Sequence, residues 1–345
     1  MAIVNIEVRN LTPGISLGAE VLNSKGKILM AKGVVLTERT ISLLAMWGID
    51  SVFMEDNQPE AVLTDQTDPD DISAECEAFF KEYDTLSKHT LRTFAFVRHQ
   101  QKVPVLELKE LSFSIYATIL NTGAALTDYL LVNDRKIADD VARHSIMVSF
   151  VSGLITRLLH MSAEESKKVT LAGLLHDLGK LVVSKGKVDQ PWDHVIKGGA
   201  LLRDVKGIPS DVLLAILQHH EYVDGSGQPM GVQGSKIHLY AKIVAVADHF
   251  CLNAYREENT NPFLALHMLQ KEMYGKFDPA ICQVFINKIR DSLVNSRIQL
   301  NDGRNAEVVY FHADNLKCPV VKLEDGQIVD LLGVQDVSIV KLLAS

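Results

Sequence analysis

Histidines and aspartates that could bind a metal recur through the middle of the chain, inside or at the ends of apolar runs. His219 and His220 are adjacent at the end of the helical pattern "DVLLAILQHH", and the loop "EYVDGSGQP" follows them at once. His176 and Asp177 lie in "LAGLLHDLGK", and Asp248 lies within "AKIVAVADHF". A carboxylate among Val, Ala and Ile is strongly destabilising unless a cation or hydrogen-bond donors compensate its charge. These positions are therefore candidates for chemistry.

Two further histidines extend this set to a number that one metal ion cannot use. Imidazole nitrogen and carboxylate oxygen without thiolate suit Fe, Mn, Ni, Co or Zn in a hydrolytic site. Five histidines and two aspartates exceed the ligands of one ion with an open position, whereas a carboxylate can join two ions. A single helical histidine is more often a hydrogen-bonded residue than a ligand, so the prediction depends on the whole set. The sequence thus predicts a binuclear centre with the candidate ligands His144, His176, Asp177, His194, His219, His220 and Asp248.

The segments that must position these residues are mainly helical, with strands at both ends of the chain. Apolar residues recur at helical spacing from about Ala78 to Leu131 and from Asp134 to about Leu300. Residues 55–77 contain nine acids and no Lys or Arg, which is typical of a solvated linker. We therefore predict a mainly α protein with a small α+β N-terminal domain (1–55), an acidic linker (56–77), connecting helices (78–119), a helical catalytic domain (120–300) and a short β-containing tail (301–345).

Composition limits the partners and the compartment. The formal net charge of −8 argues against a nucleic-acid duplex or an anionic membrane as the main partner. The four cysteines are scattered without a CxxC pair, which is typical of reduced thiols in a cytoplasmic protein. The start "MAIVNIEVRN" has no signal-peptide pattern, and no apolar run approaches the length of a membrane helix. The sequence predicts a soluble, cytoplasmic protein.

The order of these residues resembles the HD-GYP family, a branch of the HD phosphohydrolase superfamily whose members hydrolyse cyclic di-GMP. The resemblance covers about residues 120–300 and includes Lys180 and the Asp-Gly-Ser-Gly loop at 224–227. It implies an HD-type helical fold with two divalent ions, iron being the first expectation, and Asp177 bridging them. It also implies a division of the remaining ligands: His144, His176 and Asp248 for one ion, and His194, His219 and His220 for the other.

The activity implied by this resemblance is hydrolysis of cyclic di-GMP to linear pGpG, GMP or both. The two ions would share a bridging hydroxide, and Lys180 would offset charge on the phosphoryl oxygens. Asp177 and Lys180 are accordingly the catalytic candidates. The loop after the double histidine could contact substrate, although Asp-Gly and Ser-Gly also favour ordinary turns. The substrate-binding candidates are Lys180, Asp224, Gly225, Gly227, Gln228 and Arg256.

The chain departs from the family pattern at three positions. Gln228 replaces the tyrosine of Gly-Tyr-Pro, and Cys251 stands where an acid usually follows the last ligand. Arg256 is then the candidate cation of that segment, next to two glutamates. In some members a glutamate binds a third metal, and Asp140 occupies that position here with a side chain one methylene shorter. Asp140 is therefore a possible third-metal ligand, and the alternative is that it is a solvated acid on the helix surface.

These departures leave two other functions open. One is an HD-type hydrolase of another cyclic dinucleotide or nucleotide phosphoester. The other is a catalytically weak receptor that binds metal or nucleotide and signals through residues 1–55, which could bind a protein partner or dimerise.

Overall fold

The computed structural model describes residues 69–121, 139–182, 190, 192–255 and 261–343, together with short pieces of residues 3–55. The chain divides into two compact units, Met1–Asp68 and Pro69–Ser345.

The first unit contains two small antiparallel sheets among its described residues. Its strands are β1 (Ile3–Glu7), β2 (Val21–Leu22), β3 (Ile28–Met30) and β4 (Ser51–Glu55). Strand β1 pairs with β4, and β2 pairs with β3. The apolar side chains of Leu17, Leu36, Leu44 and Val52 belong to a buried cluster within this unit.

The second unit is predominantly helical, which confirms the predicted mainly α fold. Among the described residues, no helix combines the length and apolar character needed to cross a membrane. The helices of its described residues are α1 (Pro69–Gln100), α2 (Val105–Asn121), α3 (Asp140–Leu158), α4 (Ala163–Leu175), α5 (Asp193–Leu202), α6 (Ser210–Gln218), α7 (Leu239–Ala254), α8 (Pro262–Glu272) and α9 (Pro279–Leu293).

Helix α1 corrects one prediction, because it begins at Pro69, inside the predicted acidic linker 56–77. Proline suits the first turn of a helix, where its missing N–H loses no hydrogen bond. Acids near a helix N-terminus are stabilised by the helix dipole, so Asp70 and Asp71 favour a helix start as much as a linker. The linker prediction is therefore wrong for residues 69–77, and residues 56–68 lie outside the described residues.

Helices α3 and α7 form the centre of the second unit. Helix α3 packs against α4 and α7, and its side chains from Ser145 to Thr156 are all buried. Its N-terminus is capped by Asp139, whose carboxylate accepts from the Ala142 N–H at 3.1 Å. Arg98 of α1 donates to the other oxygen of Asp139 at 2.7 Å, which joins α1 to the start of α3. The first turns of α3 are thus held firmly, and His144 lies there.

The tail forms a five-stranded antiparallel sheet. Its first strand begins at Arg297, before the predicted boundary of 301, because α9 already ends at Leu293. Buried residues of the sheet join the same apolar cluster as the helices, and Phe311 stacks on Phe263 of α8 at 5.9 Å. The strands are β5 (Arg297–Leu300), β6 (Asn305–His312), β7 (Asn315–Leu323), β8 (Ile328–Asp330) and β9 (Ile339–Leu342). They lie in the order β8-β7-β6-β5-β9.

Candidate metal centre

All seven predicted metal ligands converge on one place in the second unit. Most of them lie at helix ends, where regular backbone geometry relaxes and neighbouring residues can face the same point. The convergent residues are His144 near the start of α3, His176 and Asp177 after α4, His194 in the first turn of α5, His219 and His220 after α6, and Asp248 within α7.

A glycine sets the distance between two of these segments. Gly179 lies in the short 3-10 turn Leu178–Leu181 that follows Asp177. A Cβ atom at Gly179 would lie 1.8 Å from the carbonyl oxygen of His194 and 2.6 Å from the backbone nitrogen of Gly198. Only glycine therefore allows this turn to contact α5, which brings Asp177 and His194 together.

The first group of ligand candidates consists of His144, His176 and Asp248. Nε2 of His144 lies 2.8 Å from Oδ1 of Asp248 and 3.3 Å from Nε2 of His176. Nε2 of His176 lies 3.7 Å from the same Asp248 oxygen. One ion could therefore contact all three side chains.

The second group consists of His194, His219 and His220. Nε2 of His194 lies 3.1 Å from Nε2 of His220 and 3.4 Å from Nε2 of His219. Within each of the two groups, the possible ligand atoms lie within 4.8 Å of one another. Unprotonated nitrogens this close repel each other unless a proton or cation lies between them.

Asp177 lies between the two groups. Its Oδ2 atom is 3.3 Å from Nε2 of His176, whereas its Oδ1 atom is 3.2 Å from Nε2 of His194. Oδ1 is buried and has no hydrogen-bond partner among the described residues. A buried carboxylate oxygen without a donor is unfavourable unless a cation binds it.

Backbone carbonyls fix the orientation of two imidazoles. Nδ1–H of His176 donates to the Gly173 carbonyl at 2.8 Å, and Nδ1–H of His219 donates to the Ile216 carbonyl at 2.7 Å. Because a carbonyl can only accept, Nδ1 carries the proton and the Nε2 lone pair of each neutral ring points into the site. Histidines that bind metals usually donate their second nitrogen in this way.

The electrostatics also favour cation binding. Burial lowers the pKa of His194 to about 4, and it lowers the pKa values of His219 and His220 as well. These imidazoles are consequently neutral near pH 7, as metal ligands must be. Burial opposes ionisation of Asp177, but His176 and Lys180 outweigh it and hold the pKa of Asp177 well below its ordinary value.

His176 shows the attraction that the acids exert on a positive charge. Burial lowers the pKa of its imidazole, but the charge of Asp177 and the hydrogen bond with it outweigh burial and raise that pKa. A proton and a metal ion compete for the same negative charge. The nitrogen and oxygen donors, the lone-pair directions and the buried Asp177 oxygen together fit divalent cations.

A cavity of about 400 Å³ adjoins the first group, within the size range of small-molecule sites. His144, Asp177 and Lys180 line it, and the Lys180 ammonium lies 2.5 Å from Oδ2 of Asp177. Cys251 also lines this cavity, and burial raises the pKa of its thiol well above the ordinary value, so it adds no negative charge.

Asp140, the candidate third-metal ligand, lies at the rim of the same cavity. Its side chain is 83% exposed, and Arg143 donates to its Oδ1 atom at 2.5 Å. It does not belong to the groups of converging histidines and acids found among the described residues. Arg143 thus neutralises this carboxylate.

The loop after the double histidine folds back on it. The Gln228 N–H donates to the His220 carbonyl at 3.0 Å. A Cβ atom at Gly227 would lie 2.2 Å from the backbone nitrogen of Tyr222, so this approach requires glycine. The carboxylate of Asp224 accepts from the Ser226 N–H at 2.9 Å and from its hydroxyl at 2.7 Å. Asp224 therefore stabilises the turn.

The remaining substrate-binding candidates fall in different places. Gly225 adopts a φ of +84°, and Gly227 and Gln228 line a second cavity of about 200 Å³. Arg256 lies outside the described residues. The second cavity also contains Trp192 and Tyr222, which the sequence did not single out. Each lies two residues before a predicted functional position, His194 or Asp224, and that proximity was the available signal.

Comparison with known proteins identifies the domain. Residues 141–253 match the HD domain family, a range that includes all seven convergent residues. A cyclic di-GMP phosphodiesterase of Pseudomonas aeruginosa is 27% identical over 244 residues, which are 67% of this chain and 58% of that protein. A 3'3'-cGAMP-specific phosphodiesterase of Vibrio cholerae is 32% identical over 172 residues, covering 46% of this chain and 37% of that protein.

A solved structure has the same fold over most of the chain. It is an HDG"Y"P protein from Bdellovibrio bacteriovorus, with a TM-score of 0.51 and 19% identity, covering 84% of this chain and 100% of that one. The chain spans only 58% and 37% of the length of the two curated relatives above. These matches show that residues 141–253 form an HD domain similar to that of the cyclic dinucleotide phosphodiesterases above, and Gln228 stands where the HD-GYP pattern has its tyrosine.

Proposed function

We propose that this protein is a metal-dependent phosphodiesterase that hydrolyses cyclic dinucleotides, converting cyclic di-GMP to linear pGpG, GMP or both. The observation that carries the proposal is the position of Asp177. Its two carboxylate oxygens face two different groups of ligand atoms, His176 at 3.3 Å and His194 at 3.2 Å. This arrangement supports a binuclear centre bridged by one carboxylate.

Two divalent ions bound there would lower the pKa of a shared water molecule and offset the charge of the phosphoryl oxygens. The chain itself would hold these ions with neutral imidazoles and ionised carboxylates. Lys180 faces the cavity beside Asp177 and would orient a non-bridging phosphoryl oxygen through its ammonium. Arg143 lines the same cavity, where its guanidinium is paired with the Asp140 carboxylate.

The relatives support the substrate class. Cyclic di-GMP is named for the Pseudomonas aeruginosa protein and 3'3'-cGAMP for the Vibrio cholerae protein. The second candidate function, hydrolysis of a cyclic dinucleotide other than cyclic di-GMP, is favoured by Gln228, which lines the cavity next to His220 in place of an aromatic residue.

The test combines metal content with turnover. Protein purified without oxygen would be analysed for metals and incubated with cyclic di-GMP, 3'3'-cGAMP and cyclic di-AMP. We expect about two ions per chain and hydrolysis of at least one compound. Asp177→Asn should lose the bound ions and the hydrolysis. His99→Ala is the matched control, because His99 is exposed on α1 and lies outside the centre. Two bound ions without turnover of any of the three compounds would refute hydrolysis of these cyclic dinucleotides.

A further inference from the structure

The cavity of about 200 Å³ beside the second group of histidines has a composition suited to a flat, polar-edged ring. Its size is below the about 300 Å³ of the smallest usual ligand sites, so it would accept part of a dinucleotide. His220 forms one wall and links the cavity to the metal centre. The lining residues are Trp192, His220, Tyr222, Ser226, Gly227 and Gln228.

Two aromatic side chains, Trp192 and Tyr222, line this cavity. The Tyr222 and Phe277 rings pack in a T-shaped arrangement with their centroids 5.9 Å apart, and the Lys276 ammonium lies 5.3 Å from the Tyr222 ring centroid. Trp192 immediately precedes α5, and the Val195 N–H donates to its carbonyl at 3.0 Å. Aromatic side chains on rigid backbone are the usual stacking partners of unpaired bases.

Gln228 supplies a hydrogen-bonding edge at the same place. Its backbone is fixed by the bond to the His220 carbonyl and by the close packing of Gly227 against residue 222. A primary amide offers a donor next to an acceptor. Adenine presents the complementary pair on two edges: the N6–H donor lies beside the N1 acceptor on the Watson–Crick edge and beside the N7 acceptor on the Hoogsteen edge. Guanine presents adjacent acceptors at O6 and N7, and pairing an amide with its N1–H and O6 leaves the N2 amino group unmatched.

We propose that this cavity is a nucleobase site that prefers adenine to guanine, with Trp192 and Tyr222 contacting the ring and Gln228 reading its edge. The inference rests on the proposed function, because it assumes a cyclic dinucleotide whose phosphodiester reaches the metal centre. It deepens that function by assigning an adenine-bearing cyclic dinucleotide as a preferred substrate class.

Mononucleotides test the base site without requiring phosphodiester hydrolysis. The metal-loaded protein has two tryptophans, so Trp47→Phe leaves Trp192 as the single indole reporter. Titration with AMP and with GMP should quench its fluorescence, with AMP binding roughly tenfold more tightly. Because both ligands carry the same phosphate, their affinity ratio reports the base alone.

Variants assign the effect to particular side chains. Gln228→Glu replaces the amide by two acceptors, which match N1–H and N2–H of guanine, and should reverse the preference. Gln233→Glu is the matched control, an exposed glutamine on the same loop that does not line the cavity, and should keep the preference for AMP. Tyr222→Leu should weaken the binding of AMP and of GMP roughly tenfold, whereas Tyr222→Phe should bind both nucleotides as tightly as the parent protein.

Equal or tighter binding of GMP by the parent protein would overturn the assignment, as would an unchanged preference in Gln228→Glu. A protein that cleaves cyclic di-GMP without quenching of Trp192 by AMP retains its enzymatic function and lacks this base site. Preferential AMP binding that follows Gln228, in a protein that cleaves none of the three cyclic dinucleotides, would support the base site and refute the proposed function.

Discussion

Replacing Gly179 by alanine should separate the two halves of the metal centre. The added Cβ would lie 1.8 Å from the His194 carbonyl oxygen, whereas real Cβ atoms essentially never approach closer than 3.0 Å. The turn and α5 must therefore move apart by about 1.2 Å, the difference between these distances. The 3.2 Å separation of Asp177 and His194 would change by a similar amount. Metal sites tolerate errors of only about 0.2 Å in ligand distances.

We expect Gly179→Ala to lose at least one of its two ions and to reduce turnover about 100-fold, the usual effect of a displacement near 1 Å. Overpacking should also lower the free energy of unfolding by about 1–3 kcal/mol. Elemental analysis, steady-state kinetics and urea denaturation measure these three effects. Gly333→Ala is the matched control, because its added Cβ would find only an ordinary contact at 3.8 Å. Full metal content with unchanged turnover in Gly179→Ala would refute the reasoning.

Three further predictions concern individual side chains. Lys180→Met should retain both ions and lower turnover about 100-fold, because a charge facing the phosphoryl oxygens is lost. Metal analysis and steady-state kinetics test this prediction, and full activity would contradict the phosphate contact. His220→Ala should lower the metal content, because Nε2 of His220 lies 3.1 Å from Nε2 of His194. Asp224→Ala should not, because the Asp224 carboxylate accepts a hydrogen bond within its own loop. Equal metal contents in the two variants would contradict the ligand assignment. In metal-free protein, burial lowers the pKa of His194 from 6.5 to about 4, so the unfolded chain takes up this proton first as the pH falls. The free energy of unfolding should drop by up to about 3 kcal/mol across that window. His219 and His220 contribute in the same direction, so His194→Gln should show a smaller drop than the parent protein in urea denaturation. Parallel pH profiles of the two proteins would disprove the shift.

The chain's own order of residues predicted the candidate ligands and the mainly α fold. Asp177 and Asp248 stood out because a carboxylate in an apolar run requires compensation, a physical condition that can be recognised without coordinates. Helical spacing was equally local information, since it depends on residues three and four positions apart. Local composition misled at Pro69, where acids suited both a linker and a helix start.

Only the tertiary structure decided how these residues combine. Packing between helices distant in the chain determines which imidazoles can share an ion. It also determines that the two oxygens of Asp177 face different groups of ligands. Packing between distant segments also produces the contact of Gly179 with α5 and places Trp192 and Gln228 in the lining of one cavity. A sequence records residue types and their spacing along one helix or strand, whereas distances between helices arise from the shapes of side chains that meet only when the core is packed.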